Sequence, residues 1–280
     1  MAGQARRIGE HLKAWRQRRR MSQLALACEA GISARHLSFL ETGRASPSRE
    51  MVLHLAERLD VPLRERNVLL LAAGFAPVFP ERPLDDPALR AARGAVEAVL
   101  AAHEPFPALA VDRHWTLVAA NRAVSPLLAG AAAALLRPPI NVLRLSLHPD
   151  GLAPRIANLG EWREHLLARL RRQVGVAADP VLADLLQELS GYPSGTAARP
   201  STPSEGADVA VPLRLVTDVG MLSFLSATMV FGTPIDVTLS ELAIETFLPA
   251  DAATAEALRG LALDPDGASL GKGSRAPSSA

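Results

Sequence analysis

The chain is poor in the residues on which most redox, metal and nucleophilic chemistry depends. A single cysteine, Cys28, stands among 280 residues, so no internal disulfide and no thiolate cluster can form. Cys28 lies on the apolar side of its helix and reads as an inert core thiol. The 7 histidines, at positions 11, 36, 54, 103, 114, 148 and 165, have no spacing that sets two on one helical face as metal ligands. Asp112 and His114 are neighbours without a serine or cysteine that the sequence places beside them. The glycines are scattered in turns instead of forming a phosphate-binding run. No apolar stretch is long enough to cross a bilayer and no apolar leader opens the chain, which predicts a cytoplasmic protein without a membrane partner. No enzyme activity, metal or cofactor is expected from such a composition.

What is present is an uneven distribution of charge. The formal net charge is +1, but residues 1–73 hold 13 Lys/Arg against 7 Asp/Glu, leaving 17 and 22 for the remainder. The basic end is the one suited to phosphates. Within it, Met21 to Arg44 reads as two short helices joined at Gly31, with Ser22 and Ser33 as their N-caps. Leu24, Ala27 and Cys28 are expected to face Ile32, Leu37 and Leu40 in a shared small core, with Ala34, Arg35 and Ser38 pointing away from it. A helix with such an open face suits a DNA major groove.

Around this pair, the spacing predicts an amphipathic helix over 5–19 with Ile8, Leu12 and Trp15 inward, ending in the basic run Arg16, Arg18, Arg19 and Arg20. Phosphate contact is expected of part of that run. Ser48 caps a further helix and Pro62 opens a fifth, which completes a small all-helical domain. The order LKAWR, MSQLALACEAGIS, HLSFLETGRASPS, LAERLDVP resembles the Cro/C1-type helix-turn-helix domain of the XRE family over residues 5–73. The resemblance implies that Gln23 contacts the DNA backbone and braces the reading helix, that Ala34, Arg35 and Ser38 face base edges, and that Ser33 belongs to the DNA-binding set. It also implies that His36 and Arg44 lie near phosphates and that Arg16 pairs with Glu41. Arg35 is the expected base reader, since its donor fork matches guanine O6 and N7. Phe39 stands where related repressors carry a polar residue and is expected to pack under the motif.

Residues 74–86 carry three prolines and read as a linker or a pinned crossing strand. Beyond them a helix to Ala102 precedes β-favouring runs at Pro107 to Asp112 and Trp115 to Ala120, after which Asn121 is placed to cap a helix. Helices are expected near 139–147, 156–174 and 179–190, the second with Trp162, Leu166, Leu167 and Leu170 inside and Arg163, Arg169, Arg171 and Arg172 outside. Residues 191–208 are turn-rich and expected to be mobile. Three strands follow, Val209 to Thr217, Met221 to Phe231 and Glu241 to Leu248, with a hairpin turn at Asp218 to Gly220. Leu222, Phe224, Leu225, Met229 and Phe231 are expected to line an apolar interior, and a last helix spans 251–262.

The phrases LAVDRHWTLVAANRA, INVLRLSLHPDG and GEWREHLLARLRRQ resemble the MmyB-like ligand-binding domain that follows XRE domains. That resemblance implies a PAS-like interior able to hold a fatty acid or another apolar small molecule. Trp115, Asn121, Leu145, Trp162 and Phe224 are the expected pocket residues, with a structural cap as the other reading of Asn121.

The expected architecture is therefore multidomain, α and α+β. Residues 1–73 form a five-helix head, 74–86 a linker, 87–262 a PAS-like domain with an antiparallel sheet, and 263–280 a disordered tail. The expected function is a sequence-specific transcriptional regulator, in its simplest form a repressor, that binds double-stranded DNA as a homodimer under an apolar effector. The competing reading makes the second domain a ligand-free dimerisation or protein-interaction module.

Overall fold

The computed structural model describes residues 2–177, 179–193 and 210–263. Most of the turn-rich 191–208 segment and of the 263–280 tail lies outside the described residues. The chain divides into two compact units. The first holds the residues up to Arg90, a short stretch beginning at Gln173, and Phe231–Glu241. The second holds Ala91–Arg172, the described residues from Asp179 to Val230, and the chain from Leu242 onward.

Five helices build the N-terminal part of the first unit: α1 Ala2–Arg18, α2 Gln23–Glu29, α3 Ala34–Glu41, α4 Arg49–Arg58 and α5 Leu63–Ala72. Serine starts three of them, since the hydroxyls of Ser22, Ser33 and Ser48 accept from the amides of Ala25, His36 and Met51. Gly31 takes φ 63 between α2 and α3, a left-handed conformation that a Cβ would strain. Ile8, Leu12, Trp15, Leu26, Leu37, Leu40, Leu55 and Leu69 fill the core. Gly9 matters for closeness, because a Cβ there would lie 2.5 Å from the Leu40 carbonyl oxygen. Helix α1 can therefore press directly on the C-terminal turn of α3, which fixes how α3 is presented.

The buried face of α2 departs from expectation. Leu26, Ala27 and Ala30 are buried, whereas Leu24 is 67% exposed and Cys28 is exposed. In a seven-residue helix both apolar stripes fit the period, and packing against α3 selects the one centred on Leu26. Ala34 is also corrected: it is half-buried and packs on the core instead of pointing away.

Residues 74–86 contain no strand and are pinned by a side chain. Asn67 donates from Nδ2 to the Phe79 carbonyl and accepts from the amides of Val78 and Phe79. Phe75 and Val78 pack on the helical core. The segment Phe231–Glu241, which lies between two strands in sequence, joins this unit with its short helix α10 Val237–Ser240. The Val237 amide donates to the Pro80 carbonyl at 2.8 Å and Thr238 Oγ1 to the Arg82 carbonyl at 2.6 Å. Asp236 accepts from Arg82, and Arg64 forks onto both Glu241 and Glu81.

The second unit is α+β. Helix α6 Arg90–Ala102 runs into it, followed by β1 Ala108–Val111, β2 Leu117–Ala120, α7 Val142–Leu147, α8 Leu159–Ala177 and α9 Pro180–Ser190. Then come β3 Leu213–Thr217, β4 Gly220–Val230, β5 Ala243–Pro249 and α11 Ala252–Leu263. The sheet is antiparallel in the order β2-β1-β5-β4-β3. Residues 218–219 form the expected hairpin turn, with Gly220 at φ 109. Both sheet edges are engaged: Leu117 N–H donates to Ile140 O, and Ala157 N–H to Arg214 O.

Three expectations change here. Asn121 begins a 3-10 turn without a side-chain cap bond. Its Oδ1 instead accepts from Ala108 N–H, and Nδ2 donates to the carbonyls of Leu100 and Phe106. Along β4 the period of two buries Leu222 and Phe224 but leaves Leu225 at 38% and Met229 at 41% exposure, on the opposite face. Arg169 does not face outward. Its Nη1 and Nη2 bind Glu245 at 3.0 and 2.6 Å, and its guanidinium carbon lies 4.5 Å from the Trp115 ring centre.

Candidate nucleic-acid interface

The brace beneath α3 is a buried charge pair. Arg16, at the end of α1, donates from Nε and Nη2 to the two Glu41 oxygens at 2.6 and 2.8 Å, a bidentate fork. Gln23 adds a bond from Nε2 to Glu41 at 2.8 Å, and Arg16 Nη1 donates to Met21 O. Burial alone would push the Glu41 carboxyl up. Hydrogen bonds from Arg16 and Gln23, with attraction to Arg16 and Lys13, outweigh it and hold the carboxyl below the usual glutamate range. The Glu41 bonds raise the Arg16 guanidinium above its ordinary value against a smaller cost of burial. The network ties the ends of α1 and α3 to the first residue of α2.

Above that brace, α3 offers its open face. Arg35 and Arg44 are exposed, while His36, Ser38 and Phe39 are half-buried. The Ser33 hydroxyl is engaged as acceptor for the His36 amide. Arg35 and Phe39 are one turn apart, and the Arg35 guanidinium carbon lies 5.4 Å from the Phe39 ring centre. That of Arg44 lies 5.9 Å from the same ring. Sequence reasoning placed Phe39 under the motif and missed this shared contact; the i, i+4 spacing with Arg35 was the available signal.

The basic run at the end of α1 divides its labour. Arg16 is spent on Glu41, and Arg19 donates to the carbonyls of Leu59 and Asp60, closing the end of α4. Arg18 and Arg20 remain exposed, with Arg18 over the Trp15 ring at 5.0 Å. Of the run, Arg18 and Arg20 are the two that the structure leaves exposed.

In the second unit the expected pocket residues lie in packed surroundings. Trp115, Asn121, Leu145, Trp162 and Phe224 are all buried. Trp162 Nε1 donates to Ser146 Oγ at 3.0 Å, and its ring stacks on His165 at 5.5 Å. Burial and the charges of Arg169 and Arg172 push the His165 imidazole below its ordinary value. Phe224 meets Phe247 edge-on at 6.2 Å. Trp115 holds φ 65, an uncommon backbone for a bulky residue. A separate open crevice is lined by Gly130, Ala132, Asp150, Gly151 and Arg155 among others, and none of the five residues borders it. Among the described residues no three His, Cys, Asp or Glu gather as metal ligands, and no helix is long and apolar enough to cross a membrane.

Comparison with known families gives two matches. Residues 7–69 match a helix-turn-helix domain. Residues 92–261 match the MmyB-like transcription regulator ligand binding domain. A search of curated proteins finds no match to the chain.

Proposed function

This chain belongs to the family of transcription regulators with an MmyB-like ligand-binding domain, and from that premise we propose that it is a repressor binding a pseudo-palindromic operator as a homodimer. The observation that carries the reading is the exposed Arg35 on a helix braced from below by the buried Arg16–Glu41 fork. In this reading Arg35 takes a guanine edge, while Ala34, turned onto the core, is left out of the base contacts. Ser38 reads beside Arg35, while Ser33, His36 and Arg44 meet phosphates or groove walls. Gln23 shares its amide between Glu41 and the DNA backbone.

Two α3 helices about one turn of DNA apart, roughly 34 Å, supply selectivity that one helix lacks. The second domain is PAS-like, a reading supported by its strand order 2-1-5-4-3, and holds a fatty acid or other apolar effector. The effector acts in the cytoplasm by its differential affinity for two arrangements of the heads. A second reading is favoured by the packing of Trp115, Trp162 and Phe224, which suits a ligand-free dimerisation module.

The test is selection of bound duplexes from a random library by the full chain, alongside mass spectrometry of its solvent extract. A two-fold symmetric consensus supports the dimeric operator, and an asymmetric consensus or none contradicts it. An extracted lipid that changes operator affinity at fixed salt supports the effector. A lipid without effect on affinity removes the switch, and an empty extract favours the dimerisation module.

A further inference from the structure

We propose that Phe39 is a positioning residue for DNA recognition, its ring pre-ordering the guanidinium groups of Arg35 and Arg44; the inference rests on the DNA-binding reading above. An exposed arginine is rotamer-rich, and every rotamer frozen on binding weakens the complex. Here both arginines of the open face are already gathered at one aromatic ring, at 5.4 and 5.9 Å. Arg35 reaches it by helical spacing. Arg44 reaches it because the chain turns at Gly43, φ 71, and the amides of Arg44 and Ala45 donate to the Phe39 carbonyl at 2.8 and 3.1 Å.

Core filling does not account for the ring. Among the described residues, the partly buried apolar side chains packed on the head's core include Ile32, Ala34 and Ala45 but not Phe39. A guanidinium held against an aromatic face keeps its N–H edge in the plane, where a guanine edge or a phosphate is met. The ring thus raises selectivity more than general affinity: a base contact needs one orientation, whereas a phosphate tolerates many.

The experiment uses the full chain and two probes, the duplex most enriched from a random library and a shuffled duplex of equal composition. Phe39→Leu is expected to weaken the enriched duplex about fivefold, the size of one or two exposed cation–π contacts, while the shuffled duplex changes by less than about twofold. Phe39→Tyr, which retains a ring, restores the selectivity. Arg35→Ala costs less in the Phe39→Leu background than in the wild type. If Phe39→Leu lowers the melting temperature, Phe39→Met is measured in its place, keeping bulk without a ring face. Equal losses on both duplexes, or no loss on either, overturn the inference. A wild-type chain that enriches no duplex overturns the DNA-binding reading instead, so the two failures are told apart.

Discussion

Replacing Glu41 by Gln alters the brace without changing its size. The carboxylate accepts three hydrogen bonds, at 2.6, 2.8 and 2.8 Å, in a pair whose side chains are 10% and 2% exposed for Arg16 and Glu41. An amide offers one oxygen and one NH2 to those donors, so at least one N–H meets another N–H, and the Arg16 charge is left buried without its counterion. Breaking a buried pair by removing one partner costs about 3–5 kcal/mol; Arg16 keeps its bond to Met21 O, so about 3 kcal/mol is expected. The assay is amide hydrogen exchange on the full chain. Protection across α1, α2 and α3 should fall about 100-fold, while β4 and β5 are unchanged.

The effect should also depend on pH. Because the folded Glu41 carboxyl sits below its usual range, its contribution is complete above the unfolded value of about 4.3 and is lost as pH falls through the lower folded value. The gap between wild type and Glu41→Gln should therefore close in acid. A change of less than about threefold near neutral pH, or a gap that persists through that window, would refute the reasoning.

Two further substitutions test other joints. Arg64→Met should release Phe231–Glu241 from the first unit, raising exchange in that segment about fivefold, with the difference shrinking at high salt because the Arg64–Glu241 pair is partly exposed. Asn121→Leu leaves Ala108 N–H and the carbonyls of Leu100 and Phe106 without their partner, and should destabilise β1 by about 3 kcal/mol in exchange measurements.

The head was legible because its signals are local. Ser22, Ser33, Ser48 and Gly31 announce their roles within three residues of themselves, and the Arg16–Glu41 pair followed from the family resemblance. The rotation of α2 was not legible, since two turns of helix cannot separate the Leu24 stripe from the Leu26 stripe; only contact with α3 does. Asn121 carries a helix-cap signature, yet its amide is claimed by three backbone groups, two of them from residues 15 and 21 positions earlier in the chain. Arg169 reads as a solvent face until Glu245, 76 residues later, meets it from β5. The β4–β5 connection gives no sign in sequence that Asp236 and Glu241 will pair with Arg82 and Arg64 of the first unit. In each case the missing information is a long-range partner.

The central claim is that α3 reads duplex sequence through Arg35. The most direct measurement compares duplexes enriched by the wild type with those enriched by Arg35→Ala, with affinities taken at one salt concentration. The account predicts a loss of about 1–3 kcal/mol on the wild-type consensus, with preference relaxed at one base position per half-site. A uniform loss across all duplexes, with the consensus intact, would contradict it and assign Arg35 to the phosphate backbone.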